Sequence, residues 1–350
     1  MDKALIEKRM QAAIRMTAPG TALRSALDMI LAARLGALIC IGDTDKVLAL
    51  GNDGFPLNIA FSANRLFELS KMDGAIVIDD DLENILRANF HLNPDPSLPT
   101  TETGMRHRTA ARMSMCTDSL VISVSERRSV VNLYIGGISY QLKESGELIN
   151  EANQMLIALQ TQRSSLDRGL QRLSALEFDD YVTLGDVTAV VARFQTLLET
   201  GRMLLEILTQ MGSNGRMLKI QLREQTHGMD EQFDLMIRDY AKDSSQETAL
   251  SIREELNVLS SRELTSPKKI CQLLGYEGLR EEDILRPLGL RTLSRVAVVT
   301  HDTADRLVDE YGSLKGLMDS IQDDPEHLGD MGINNPALLV DSLYRMWGKR

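Results

Sequence analysis

The chain has 350 residues, 43% of them apolar, and a formal charge of −11 from 39 Lys and Arg against 50 Asp and Glu. That length predicts two or three domains, each able to bury a core, and the charge excludes a broadly basic nucleic-acid coat, whose affinity comes from Lys and Arg set against phosphates. The start carries acids where a secretory leader is basic, no apolar run nears a membrane span, and Cys40, Cys116 and Cys271 form no C-x-x-C pair, which excludes a disulfide framework or zinc site and predicts a cytoplasmic protein with no membrane.

The first segment reads as mixed helix and strand. A helix over about residues 2–15 leads through Ala18-Pro19-Gly20 to Thr21, which can cap a second helix from Ala22 to Arg34. Short apolar runs bounded by turn residues follow: Ala37 to Ile41, Val47 to Leu50, Ala75 to Ile78, Leu120 to Val124 and Val130 to Ile135. Their length and their Val and Ile content predict strands. The last two are joined by Ser125-Glu126-Arg127-Arg128-Ser129 as a hairpin. Residues 1–143 therefore read as an α/β domain with a central mixed sheet.

From Gly146 the pattern turns helical. Ile149, Leu156, Arg163 and Leu170 alternate with Ala152, Leu159, Leu166 and Leu173 at steps of three and four, a heptad seam holding one charge. Such a seam serves either a plain amphipathic helix packed on its own domain or a helix that also joins an oligomer. Further helices are predicted over about 186–210, 215–241 and 245–260. Residues 144–270 lack any cluster of catalytic residue types and read as an all-α linker or oligomerisation domain.

Residues 271–350 read as short helices with glycine turns. Two blocks, Thr300 to Val308 and Leu328 to Leu339, flank Tyr311-Gly312-Ser313-Leu314, the pattern of paired helix-hairpin-helix units. Yet this segment carries −5, as does 146–270, while 1–145 carries −1. Only the stretch from Arg286 to Arg295, with Arg291 between, offers a positive face. In the second block the hairpin reads Asp330-Met331-Gly332, and a carboxylate there repels phosphate.

Chemistry concentrates in the first domain. No phosphate-binding G-x-x-x-x-G-K-[ST], dinucleotide G-x-G-x-x-G or H-E-x-x-H occurs. Asp73-Gly74-Ala75 stands at the mouth of a predicted strand, where a carboxylate can hold a divalent cation beside a phosphate and the two small residues let a ligand lie against backbone. The same triplet also suits an ordinary turn. In Thr100 to Arg112, Arg106, His107 and Arg108 gather with several threonines at the start of a helix capped by Thr109 or a neighbour. That is either a phosphate cradle or a solvated basic turn. Ser125-Glu126 could add to a metal-phosphate cluster or be a plain hairpin tip. His91 precedes a Pro-rich loop and reads as structural.

Taken in order, D-G-A, H-L-N-P-D-P, T-E-T-G-x-R-H-R-T-A and S-E-R-R make residues 1–143 resemble a diadenylate cyclase domain. The helical middle and the helix-hairpin-helix end extend the resemblance to the DNA-scanning members of that family. The resemblance implies condensation of two ATP into cyclic di-AMP and two pyrophosphates between facing domains. It implies that Asp73 ligates Mg²⁺ or Mn²⁺ and helps activate a 3′-hydroxyl, and that Gly74 and Ala75 keep the site open. Arg106, His107, Arg108 and Thr109 would hold phosphates, Thr103 and Gly104 shape that loop, Ser125 lies near phosphate or metal, and backbone around Leu92 reads adenine. It further implies a homo-octamer and binding of branched DNA in response to DNA damage, through Arg291, Arg295 and Gly332. The alternative is a non-catalytic, nucleotide-binding DNA-repair scaffold.

Overall fold

A computed structural model describes residues 3–323, 328, 333 and 335–348 of the chain. Internal contacts divide it into one unit of Met1–Asn153 with Glu206–Lys219, and a second of Gln154–Leu205 with Ile220–Arg350.

The first unit opens with helices α1 (Lys3–Met16) and α2 (Ala22–Ala32), the second capped by the Thr21 hydroxyl, which accepts from the Arg24 N–H. Then come β1 (Ala37–Ile41), α3 (Thr44–Ala49), β2 (Gly51–Asn52), β3 (Phe55–Ala60), α4 (Ala63–Leu69), β4 (Ala75–Ile78) and β5 (Asn84–Leu92). Helix α5 (Met105–Cys116) and strands β6 (Leu120–Ser125), β7 (Val130–Ile135) and β8 (Ile138–Gln141) follow. The strands form one sheet in the order β2-β5-β4-β1-β6-β7-β8, with β3 also on β5. Only β1 and β4 pair in parallel, so the sheet is mixed, as expected.

Both sheet faces are covered, which is why its central strands are unbroken apolar runs. Ile39, Ile76, Ile78 and Ile122 pack with Leu23, Leu27 and Ile30 of α2 and Leu66 of α4. Their neighbours Cys40, Val77, Val121 and Tyr134 pack with Val47 of α3 and with Ala110 and Met113 of α5 on the other face. Burial leaves the Cys40 thiol without solvation and pushes it up to about 12, so this cysteine is inert.

The run Val47 to Leu50, read as a strand, lies mostly in α3. Val47 alone is fully buried and exposure rises and falls along one helical face, a pattern that so short an apolar run cannot announce. Strand β5, the longest of the sheet, was not expected at all. Asn84, Arg87, Asn89 and His91 interrupt its apolar residues, and two register shifts against β4 break its alternation.

In the remainder, helix α6 (Ser145–Phe178) leads through β9 (Val182–Thr183) to α7 (Leu184–Gln210). A 3₁₀ turn (Gly212–Gly215), α8 (Arg216–Thr226), α9 (Met229–Tyr240) and α10 (Gln246–Val258) follow. The single helix expected over 215–241 is broken by Gly228 at φ 68°. Within the heptad seam of α6, Ala152, Leu156, Leu159, Leu166, Leu170 and Leu173 are buried in the chain while Ile149 is 39% exposed, and Arg163 pairs with Asp167 at 3.0 Å. Plain amphipathic packing accounts for its buried members.

The second unit continues through α11 (Ser261–Leu264), α12 (Pro267–Leu273), β10 (Ile284–Leu285), α13 (Leu290–Leu293), α14 (His301–Tyr311), α15 (Leu314–Asp323) and α16 (Pro336–Trp347). Its C-terminal core joins Phe178 to Leu290, Leu293, Leu307, Leu317 and Leu343. Here the expectation for Arg291 fails. Its side chain is 3% exposed, with Nη2 2.5 Å from Glu177 Oε2 and 3.0 Å from Ser174 Oγ. Tyr240 donates to the other Glu177 oxygen at 2.7 Å, and Asp239 accepts the N–H groups of Gly289, Leu290 and Arg291. An arginine so enclosed cannot meet a DNA phosphate. Arg295 is exposed, whereas Gly332 and Asp330 lie outside the described residues.

Candidate active site

The register of the first unit gathers residues far apart in sequence. Strand β4 runs parallel to β1 with Ala75 beside Leu38, β6 runs antiparallel to β1 with Val124 beside Ala37, and β5 runs antiparallel to β4 with Phe90 beside Ala75. Gly36, Asp73-Gly74, His91-Leu92 and Ser125 therefore emerge together at one end of the strands.

Gly74 sits at φ 88°, and a Cβ there would stand 2.8 Å from the Asn89 carbonyl carbon. Only glycine satisfies both the left-handed backbone and the contact with β5. That contact holds the turn against the sheet and leaves Asp73 projecting, its side chain 96% exposed. Arg106 Nη2 lies 3.8 Å from Asp73 Oδ1. The guanidinium reaches that far because residue 36 has no side chain: a Cβ on Gly36 would fall 2.3 Å from Arg106 Nη1. Gly36 escaped the sequence reading, and its only signal was a glycine directly ahead of a strand. Ala75 points the other way, into the core beside Val77, Phe90 and Ala110; only its backbone can meet a ligand.

Helix α5 begins earlier than expected, at Met105 after the N-cap Gly104 rather than near Thr109. Arg106, His107 and Arg108 thus occupy its first turn, and Thr109 lies half-buried just beyond. No side chain caps this end, so the helix presents N–H groups and its positive pole beside the arginines. The side chain of Arg112 donates to Leu98 O at 3.0 Å, tying the Pro-rich loop to α5. Thr103 is exposed in the approach to the helix. Ser125 Oγ accepts the Arg128 N–H at 3.3 Å and so closes its own hairpin. Leu92, partly buried, packs against the α5-side core.

His107 is half-buried. Loss of solvation pushes its imidazole below the usual range; Glu102 pulls upward against this, and the nearby Arg128 and Arg106 add smaller downward pushes. Its Nδ1 is 2.9 Å from the Tyr134 hydroxyl, which donates to Glu102 Oε1 at 2.9 Å. Burial, then that carboxylate, push the Tyr134 phenol far above its ordinary value. The sequence pointed to neither partner: Tyr134 reads as one apolar residue of a strand, and Glu102 as one of many acids. A cavity of about 320 Å³ opens among Thr100, Thr101, Glu102, Tyr134 and Gly137. It touches neither Asp73 nor Arg106, whose side chains, 96% and 40% exposed, meet at the surface.

The assembly joins a solvated carboxylate, a cationic first turn and a backbone open on one side, which suits a phosphorylated ligand with a cation. Among the described residues, no three His, Cys, Asp or Glu cluster as a metal cage. Asp73 still fits Mg²⁺ or Mn²⁺, because Mg²⁺ keeps several waters and takes its other ligands from substrate phosphates.

Residues 24–139 match the family model for the DisA bacterial checkpoint controller nucleotide-binding region. Residues 142–282 match the one for its linker region. A DNA integrity scanning protein DisA from Carboxydothermus hydrogenoformans is 39% identical over 330 residues, covering 93% of this chain and 94% of its own. Another, from Acetivibrio thermocellus, is 37% identical over 335 residues, covering 95% of this chain and 93% of its own. A solved structure titled as a hypothetical membrane-spanning protein from Bacillus cereus aligns with 35% of this chain and 62% of its own at 27% identity and a TM-score of 0.32. Among the described residues of this chain, no helix is long and apolar enough to cross a membrane.

Proposed function

The chain belongs to the DisA family of bacterial checkpoint controllers, and on that footing we propose that it is a cytoplasmic diadenylate cyclase, condensing two ATP into cyclic di-AMP and two pyrophosphates. The observation that carries this reading is the approach of Arg106 to Asp73 across Gly36, which joins the two sequence motifs into one surface. The nucleotide-binding family match over the same residues supports it.

In this mechanism each 3′-hydroxyl attacks the α-phosphorus of the opposite ATP, and pyrophosphate leaves in line. Two O–P bonds form and two break, so the chain needs no covalent nucleophile; positioning and charge stabilisation carry the rate. Asp73 holds the cation and orients the hydroxyl. The cation, Mg²⁺ or Mn²⁺, supplies Lewis-acid polarisation of the phosphate. Arg106 and Arg108 meet phosphate oxygens as paired guanidinium donors, with the first-turn N–H groups of α5 behind them. Thr103, Gly104, Thr109 and Ser125 line the phosphate path, while Gly74 and the backbone of Ala75 and Leu92 border the nucleoside. Because the attacked phosphate sits on a second ATP, one chain offers half of a site and a homo-oligomer, an octamer in this reading, completes it.

Incubating the protein with ATP and Mn²⁺ and analysing the products by mass spectrometry tests the proposal. Cyclic di-AMP is expected. ATP binding without product would instead favour a non-catalytic sensor.

The C-terminal helices extend the proposal to DNA. Gly312, at φ 71°, ends α14 and turns the chain toward α15, in keeping with a helix-hairpin-helix unit. With Arg291 enclosed, the positive face shrinks to Arg286 and Arg295, and Arg286 already lies 3.6 Å from Asp180. Branched DNA is therefore expected to bind weakly, detectably only at low salt, because few cations oppose its phosphates. A fluorescence-anisotropy titration giving submicromolar affinity near about 0.2 M salt would refute this.

A further inference from the structure

Tyr134 offers a single hydroxyl proton, and its surroundings decide where that proton goes. A carboxylate offers only acceptors, so the bond to Glu102 at 2.9 Å takes the Tyr134 proton. The phenol oxygen then keeps only lone pairs for its other neighbours. That oxygen can then only accept from His107 Nδ1, 2.9 Å away. A bare Nδ1 lone pair at that distance would face an oxygen lone pair. The Asn132 amide nitrogen does lie 3.4 Å from Nδ1, but that longer contact does not offset such a repulsion. Among the described residues nothing bonds Nε2.

We infer that Glu102 and Tyr134 are positioning residues that hold His107 in its Nδ1–H tautomer, leaving Nε2 as the one ring nitrogen that gains a proton to grip a substrate phosphate. This rests on the cyclase reading for the identity of the phosphate, but not for the tautomer. The neutral ring presents a lone pair at Nε2, which repels a phosphate oxygen. His107 therefore binds phosphate only as imidazolium, and the arriving triphosphate draws that proton in. The charged groups facing it are Glu102 on one side and Arg106 and Arg128 on the other. With its imidazole held below the usual range in the free protein, each binding event takes up a proton across a window that opens below the ordinary imidazole value and extends upward. Affinity must fall as pH rises through that window.

The test uses the full chain with ¹⁵N-labelled histidine. Its five histidines are assigned with a His107→Gln variant, and the tautomer is read from long-range ¹H–¹⁵N couplings. Wild-type His107 is expected as Nδ1–H at high pH, and Tyr134→Phe, which keeps the ring and removes the hydroxyl, is expected to release it toward Nε2–H. Affinity for 3′-deoxy-ATP, which lacks the nucleophile and cannot cyclise, is then measured against pH. A loss approaching tenfold per pH unit is expected in the wild type, flattened in Tyr134→Phe; ATP's own titration is common to both and cancels. An Nε2–H tautomer in the wild type, or the same pH slope in both proteins, would overturn the inference. Neither readout needs product, so a chain that shows this tautomer and slope but makes no cyclic di-AMP would sink the cyclase reading alone.

Discussion

Asp73→Asn is expected to lower cyclic di-AMP formation by about 100-fold or more while ATP still binds, the order of loss typical when one preorganised electrostatic group is removed from an active site. The side chain is almost wholly solvent-exposed, so the amide costs the fold little and the loss reports chemistry. Arg106, Arg108 and the first turn of α5 remain to hold the triphosphate. Product measured by mass spectrometry, with ATP affinity measured separately, checks both halves. Unchanged product would remove Asp73 from the mechanism, and loss of ATP binding would make it a binding group instead.

Arg291→Met is expected to destabilise the second unit by about 3–5 kcal/mol, because it leaves the Glu177 carboxylate buried without its cation. Glu177 is 1% exposed and Arg291 3% by side chain, so solvent cannot screen the loss. Tyr240 and Thr292 still donate to Glu177, and they hold the penalty within that range. Urea unfolding should show the change as a lower midpoint. Adding Glu177→Gln to the same chain removes the stranded charge yet keeps an acceptor for Tyr240, and should recover at least half of the loss. A variant as stable as the wild type would mean that the pair contributes nothing. This enclosure also explains why Arg291 misled the sequence reading: charge and spacing mark an arginine, and only tertiary packing says which way it points.

The sheet was legible where its strands are buried on both faces, as in Ala37 to Ile41 and Leu120 to Val124, whose apolar runs leave no other reading. It was illegible at β5, where Asn89 adopts a positive φ of 49° and the pairing shifts register. The site divides in the same way. Asp73-Gly74 and Arg106 to Arg108 stood out because their residue types are chemically loud. Gly36, Tyr134 and Glu102 act through geometry alone, by an absent side chain and by one directed proton, which local pattern does not encode. The resemblance supplied the activity; the residues by themselves supported only a carboxylate and an anion cradle.

One detail of α5 has a dynamic counterpart. Gly104 gives the helix no side-chain cap, and Arg108 is the first residue of the turn whose N–H finds a helical acceptor, Gly104 O at 2.9 Å. The amides just before it rely on solvent, and such amides exchange their hydrogens freely. A ligand that takes up those bonds slows the exchange and ties the order of the loop ahead of the helix to occupancy. Filling of the site would then register as hydrogen-exchange protection of a single turn, without any movement of the sheet beneath it.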